Sequence, residues 1–105
     1  MTDKKIILST TGSREEAQKI ARALVDRKLA ACVNIVGPVE SIYRWRGTVE
    51  SSEEFLLLIK TTAAAYERAR DLIRQLHSYE LPECVELSIE DGLPKYLEWM
   101  GESVE

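Results

Sequence analysis

The residues best suited to chemistry lie in the stretch HSYELPE, which runs from His77 to Glu83. It contains the only histidine of the chain, together with Tyr79, two glutamates and a proline. A neutral imidazole binds copper, zinc and nickel, and histidine is also the commonest general base near neutral pH. The carboxylates of Glu80 and Glu83 could hold a cation or act as acid and base. The stretch is therefore either a binding or catalytic site, or a structural loop in which His77 interacts with the last carbonyls of a helix.

Metal-binding patterns within the chain are sparse. There is no second histidine, and neither a C-x-x-C nor an H-x-x-x-H spacing occurs. A tetrahedral site within one chain would need Cys32, Cys84 and His77 to converge, whereas ligands shared between subunits would need no local spacing. For each cysteine, the favoured interpretation is a small residue packed on a sheet. The residues alone leave both interpretations open.

A second stretch, YRWRG at Tyr43–Gly47, interleaves aromatic side chains with arginines, a combination that can stack on nucleic-acid bases. Strand alternation would place Tyr43 and Trp45 on one face and the two arginines on the other. The formal net charge of −4 opposes phosphate binding, and the aromatic signature of RNA-binding sheets is missing. We therefore expect no nucleic-acid partner and predict that Tyr43 and Trp45 pack against a neighbouring subunit.

Length and composition limit the classes of protein that the chain can represent. A chain of 105 residues forms one domain, residues 1–105. No segment approaches the roughly 18 apolar residues of a membrane span, and the first residues do not resemble a signal peptide. Two cysteines in a chain that is not exported are expected to be free thiols in a reducing cytosol. We therefore predict a single-domain cytoplasmic protein without membrane contact.

Periodicity predicts the elements that position these residues. Ser13 followed by Glu16 is a capping box at the start of a helix whose apolar repeat ends near Lys28. A second helix carries an apolar stripe on Tyr66, Ala69, Leu72, Ile73 and Leu76. The predicted strands are Lys4–Thr11, Ala30–Val36 with its continuation from Val39, Phe55–Thr61 and Cys84–Glu90.

This order of elements predicts an α+β fold, a ferredoxin-like split βαβ sandwich with an extended β-hairpin and a C-terminal helix beginning near Pro94. Gly47 marks the hairpin turn, and Gly37-Pro38 marks a bend or bulge. Both long helices would cover one face of the sheet. Leu56 and Leu58 make the other face apolar as well, and only the short C-terminal helix is left to cover it. We therefore expect self-association.

Four separated stretches together resemble the CutA divalent-cation-tolerance family: LAACVNIVGPVESIYRWRGTVE, EEFLLLIKTT, HSYELPECVEL and YLEWM. The resemblance runs from the first strand to the C-terminal helix. It implies a ferredoxin-like fold, a tight homotrimer assembled through the hairpin, and an architecture similar to the PII signal-transduction proteins. It also links the chain to tolerance of copper and other divalent ions, with no firmly attached catalytic activity.

Carried over by position, the resemblance implies an intersubunit cleft that binds a metal ion or a small anionic ligand. The implied ligand-binding residues are Cys32, Trp45, Lys60, His77, Tyr79, Glu83 and Trp99, with His77 as the metal residue. Some copper-binding members carry a cysteine and a second histidine at positions that are Ser9 and Leu76 here, so a copper ion would be weakly bound. This chain also departs from the family's usual His-Pro-Tyr sequence, because Ser78 replaces the proline.

The leading hypothesis is therefore a non-enzymatic cytoplasmic homotrimer that takes part in divalent-metal tolerance and binds a metal ion or small ligand between subunits. The alternative is a PII-like signalling or scaffold trimer that acts through a protein partner. A third possibility is a small hydrolase with His77 as base and Glu83 as orienting carboxylate, although no nucleophile or oxyanion motif occurs.

Overall fold

The computed structural model describes residues 2–105, which form four strands and three helices. The strands are β1 (Lys4–Thr11), β2 (Cys32–Trp45), β3 (Thr48–Thr62) and β4 (Val85–Ser88). The helices are α1 (Arg14–Asp26), α2 (Tyr66–Leu76) and α3 (Pro94–Ser103). Along the chain they follow the order β1, α1, β2, β3, α2, β4, α3. The predicted α+β class, the long hairpin and the C-terminal helix are confirmed.

All four strands belong to one antiparallel sheet with the spatial order β2-β3-β1-β4. The two central strands are β3 and β1, and the central position of β3 agrees with its continuous apolar run at Phe55–Thr61. Ile7 pairs with Ile59, and both side chains are fully buried. Among residues 2–105, no helix is long and apolar enough to cross a membrane.

The β2–β3 hairpin contains the predicted irregularity at Gly37-Pro38. The register shifts between Val36, which pairs with Leu56, and Val39, which pairs with Glu54, so β2 carries one extra residue. A Cβ atom on Gly37 would clash with the ring of Phe55, which explains why glycine is needed at this close approach. At the tip, Arg46 and Gly47 both have positive φ angles, as the two-residue type I′ turn requires.

The helices α1 and α2 cover one face of the sheet and enclose the core. The largest fully buried apolar side chains of this core are Ile7, Ile20, Leu24, Leu57, Ile59 and Ile73. Ser13 Oγ accepts a hydrogen bond from the Glu16 amide at 3.1 Å, which confirms the helix start. The reciprocal half of the predicted capping box is absent within residues 2–105, because the Glu16 carboxylate accepts hydrogen bonds from Ser78 instead.

The opposite face of the sheet, which we call the second face, is only partly covered. The helix α3 packs on it through Met100, which is fully buried. Val85 and Leu87 of β4 pair with Leu8 and Ile6 of β1 on this face, yet they are 46% and 48% exposed. Cys84, one position earlier, lies against the helical core instead, which agrees with the predicted alternation.

Candidate functional site

A cavity of about 340 Å³ lies between the outer part of the hairpin and the α2–β4 loop, residues 77–84. Four glutamates line it: Glu50, Glu54, Glu80 and Glu83. Three aromatic residues also line it, Tyr43, Trp45 and Tyr79, together with Thr10 and Leu81. None of these lining residues is a lysine, arginine, histidine or cysteine. We call this feature the acidic cavity, because carboxylates are its ionisable groups apart from the tyrosines.

Strand alternation explains how the hairpin supplies half of the lining. Tyr43 pairs with Glu50 across the hairpin, and Trp45 pairs with Thr48. Directly paired residues share a face, and so do residues two or four positions apart, so Glu54 lies on the same side as Glu50. The bulge sets this register, because it makes Val39 rather than Pro38 the partner of Glu54.

The hydrogen bond between Tyr79 and Glu54 joins the loop to the hairpin. Tyr79 Oη donates to Glu54 Oε2 at 2.8 Å. Partial burial raises the pKa of the Tyr79 phenol, and its hydrogen bond to the Glu54 carboxylate raises it further. The phenol therefore stays protonated and acts as a donor at neutral pH. Glu54 is only 7% exposed, and its second oxygen, Oε1, has no hydrogen-bond partner among residues 2–105.

His77 lies behind Tyr79 and is buried. Its Nδ1 accepts a hydrogen bond from the Tyr79 amide at 3.1 Å, so the ring proton belongs on Nε2, which lies 2.7 Å from the Thr10 carbonyl oxygen. The His77 and Tyr79 rings are in contact, with centroids 4.7 Å apart. A metal ion could reach this imidazole only by displacing one of the two hydrogen bonds. The assignment of His77 as a metal residue thus stays a prediction.

A third contact attaches the loop to α1. Ser78 Oγ lies 2.7 Å and 2.9 Å from the two carboxylate oxygens of Glu16, and the Ser78 amide donates to Oε1 at 3.2 Å. Glu16 Oε1 is also 3.6 Å from His77 Nδ1. The carboxylate beside His77 is therefore Glu16, whereas the hydrolase hypothesis assigned that position to Glu83, which lines the cavity.

Of the seven ligand-binding residues predicted from the resemblance, the cavity brings together three: Trp45, Tyr79 and Glu83. His77 contacts the site indirectly through Tyr79. These four come from the two segments that the sequence analysis singled out, the hairpin tip and the α2–β4 loop. Their convergence supports a single site built by both segments.

The other three predicted residues lie elsewhere in the subunit. Cys32 pairs with Lys60, six positions along β3 from Glu54, which is about 20 Å of extended strand. The Lys60 ammonium donates a hydrogen bond to Asn34 Oδ1 and does not line the cavity. Trp99 belongs to α3, where its ring lies 5.4 Å from that of Tyr96. The subunit therefore offers no cationic side chain inside the acidic cavity for the small anionic ligand that was predicted.

The strand glutamates Glu50 and Glu54 were not predicted from the sequence, whereas Glu80 was considered together with Glu83 as a carboxylate that could hold a cation. A signal was present for Glu54, because it directly precedes the apolar run of β3 and shares a face with Leu56 and Leu58. A carboxylate in line with apolar side chains is an unusual position. Within residues 2–105, no group of three or more His, Cys, Asp and Glu side chains is arranged to hold a metal ion.

Comparison with known proteins gives a consistent result at the level of sequence. Residues 5–103 match the family described as CutA1 divalent ion tolerance protein. The divalent-cation tolerance protein CutA of Thermus thermophilus is 46% identical over 99 residues, which cover 94% of this chain and 96% of that protein. A protein CutA homolog of Xenopus laevis is 47% identical over 88 residues, or 84% of this chain. The match spans only 58% of that longer relative.

Comparison with solved structures gives the same group of proteins as comparison of sequences. A solved structure described as a divalent cation tolerance protein (Cut A1) of Thermus thermophilus superposes with a TM-score of 0.95 at 45% identity. The superposition covers 97% of this chain and 99% of that one. Sequence and structure agree over nearly the full length, and the chain belongs to the CutA1 divalent ion tolerance protein family.

Proposed function

We propose that this protein is a non-enzymatic cytoplasmic homotrimer that takes part in divalent-cation tolerance by binding a positively charged ligand in the acidic cavity. The observation that carries the proposal is the arrangement of four glutamates and three aromatic side chains around one cavity. Membership of a family named for ion tolerance supports it independently. The positive charge of the ligand follows from the lining, which contains carboxylates and no cationic side chain.

Self-association is supported by the apolar side chains left exposed on the second face. Val85, Leu87, Val36 and Trp99 are between 43% and 48% exposed. A cluster of this kind is typical of a protein–protein interface. The strand order β2-β3-β1-β4 supports a ferredoxin-like subunit, and the resemblance to the family supports three subunits with PII-like architecture.

A divalent metal ion, copper included, is one cation that the cavity could bind. The carboxylate oxygens of Glu54 and Glu83 would be the ligands, completed by groups of a neighbouring subunit. Copper prefers imidazole and thiolate, which do not line the cavity, so its binding here would be weak and poorly selective. His77 would then act by positioning Tyr79 rather than as a ligand, because both ring nitrogens already have hydrogen-bond partners.

The remaining parts of the proposal rest on cysteine and histidine chemistry. Both cysteines are free thiols, which supports a reducing compartment such as the cytosol. A non-enzymatic role is supported because His77, the residue best suited to act as a base, uses its ring nitrogens to hold the loop.

The proposal can be tested by calorimetric titration of copper(II) into the wild type, Glu83→Gln and Glu98→Gln. We expect Glu83→Gln to weaken binding about tenfold, because it removes a charged ligand without changing the shape of the side chain. Glu98 is exposed on α3 and serves as the control, with an unchanged affinity. Equal affinities of the wild type and Glu83→Gln would exclude the acidic cavity as the copper site. His77→Ala should keep the affinity within a few-fold, and complete loss would instead make His77 a ligand.

A further inference from the structure

We propose that the acidic cavity takes a polyamine, that is, an alkyl chain carrying several ammonium groups. This inference rests on the proposed function, because it names the chemical class of ligand for the same site. Four observations support the inference: the spacing of the carboxylates, the aromatic walls, the position of Arg46 and the free oxygen of Glu54.

The spacing of the carboxylates favours separated positive charges over a single ion. Glu50 and Glu54 lie four positions apart on β3, which is about 13 Å along an extended strand. Glu80 and Glu83 face them from the α2–β4 loop. A metal ion needs several ligand atoms converging on one point, and no such group of side chains occurs among residues 2–105. An extended chain with ammonium groups several methylenes apart could pair with carboxylates that do not converge.

The size and walls of the cavity suit an organic ligand. Its volume of about 340 Å³ is far larger than a metal ion needs and lies in the range of small-molecule sites. Tyr43, Trp45 and Leu81 provide apolar surface between the carboxylates. Methylene groups of a polyamine would contact this surface, while its ammonium groups would gain cation–π attraction from the aromatic faces.

The chain's own Arg46 shows that the rim already accommodates an organic cation. Its guanidinium carbon lies 5.4 Å from the centroid of the Trp45 ring, and its Nη2 lies 3.5 Å from Glu80 Oε2. Both contacts are with residues that line the cavity, whereas Arg46 itself does not line it. The Trp45 indole and the Glu80 carboxylate can therefore recognise a positively charged group, and a ligand that used this pair would take the place of Arg46.

Glu54 provides an acceptor at the inner side of the cavity. It is more than nine-tenths buried, and Tyr79 Oη occupies only one of its carboxylate oxygens. Its other oxygen, Oε1, has no protein partner among residues 2–105. An ammonium group is a compact donor of three hydrogen bonds and could donate one of them to this oxygen in a charge-assisted bond.

The test is a calorimetric titration of spermidine into the wild-type protein, Trp45→Ala and Ile42→Ala at one fixed ionic strength. We expect saturable binding to the wild type and about tenfold weaker binding to Trp45→Ala, because the aromatic wall is lost while the net charge is unchanged. Ile42→Ala is the control, since Ile42 is an exposed apolar residue of the same strand that does not line the cavity, and this variant should bind like the wild type. Should Trp45→Ala disturb the hairpin, Glu50→Gln is the second variant, with the same expected loss, because Glu50 is an exposed cavity carboxylate.

The outcomes separate this inference from the proposed function. Equal spermidine affinities of the wild type, Trp45→Ala and Glu50→Gln would overturn the inference, because attraction to the overall negative charge would then explain the binding. Copper binding that depends on Glu83, without spermidine binding, would overturn the inference and leave the proposed function intact. Absence of binding by both probes would overturn both.

Discussion

At the scale of single residues, the Tyr79–Glu54 pair determines the inner side of the acidic cavity. The phenol holds one oxygen of a buried carboxylate and leaves the other free. His77 supports this arrangement from behind, because its Nδ1 accepts the amide hydrogen of Tyr79. The histidine that first indicated a site in the sequence thus holds the backbone of the tyrosine two positions later, while its role as a metal residue stays a prediction.

The Tyr79–Glu54 pair predicts a stability change in alkaline solution. The folded state raises the pKa of Tyr79 above the usual tyrosine value of 10.0, mainly because the phenol is partly buried. Its stabilising contribution is therefore complete below pH 10 and is lost as the pH rises through the folded pKa, because the unfolded chain releases the proton first. We expect the free energy of unfolding, measured by urea denaturation, to fall as the pH increases above 10.

Tyr79→Phe should remove this alkaline component and lower stability at pH 7 by about 1–2 kcal/mol, because Glu54 then loses its hydrogen-bond donor. Tyr96→Phe is the control, since it changes an exposed tyrosine on α3 and leaves the pair intact. A Tyr79→Phe protein with the same alkaline fall as the wild type would contradict the assignment.

At the scale of secondary-structure elements, the position of the α2–β4 loop depends on the first turn of α1. Glu16 was predicted to complete a capping box, but its carboxylate instead accepts hydrogen bonds from Ser78. Ser13 alone caps the helix. The start of α1 therefore makes two kinds of contact. The Ser13 hydroxyl accepts a hydrogen bond from a free amide of the helix, and the Glu16 carboxylate holds the loop beside the cavity.

Glu16→Ala should therefore loosen the loop as well as weaken the helix. We expect a loss of about 1–2 kcal/mol in the free energy of unfolding, because hydrogen bonds to a charged acceptor are broken. Hydrogen exchange at the Ser78 and Tyr79 amides should accelerate. Glu15→Ala is the matched control, because Glu15 is exposed in the same helical turn and its removal changes the helix-dipole interaction to the same extent. Equal exchange rates at Ser78 in the two variants would show that Glu16 does not hold the loop.

At the scale of the whole molecule, the two faces of the sheet are covered to different extents. The helices α1 and α2 bury one face, whereas α3 covers only part of the second face and leaves Val85 and Leu87 half-exposed. The exposed hairpin extends the subunit to 44 Å in its longest dimension. Both features suit a subunit whose second face is completed by further copies.

Light scattering of the purified protein should give three times the mass of the chain. Leu87→Glu should produce a monomer, because an unpaired carboxylate would be buried in the interface, a change that costs several kcal/mol. Val25→Glu is the matched control: Val25 is 43% exposed on α1, in the layer opposite the second face, and its change should leave the trimer intact. A wild-type monomer, or dissociation by both substitutions to the same extent, would contradict the proposed interface.

The sequence by itself determined the order of the elements, because the periods of helix and strand and the turn residues at Gly37 and Gly47 are local properties. It also predicted that the α2–β4 loop and Trp45 belong to a candidate site, and residues of both line the acidic cavity. The tertiary structure decided which residues share that site. Glu50 and Glu54 line the acidic cavity through the register set by the bulge, whereas Lys60 and Trp99 do not line it.

The contacts of the buried polar residues were likewise decided by the tertiary structure and not by local sequence. Tertiary structure placed Ser9 on the helix-covered face, fully buried and with no partner for its hydroxyl among residues 2–105, and it directed the Glu16 carboxylate to Ser78. Contacts of this kind join residues more than 60 positions apart and depend on strand pairing and helix packing. Local patterns determine which elements form, whereas only their packing determines which side chains meet.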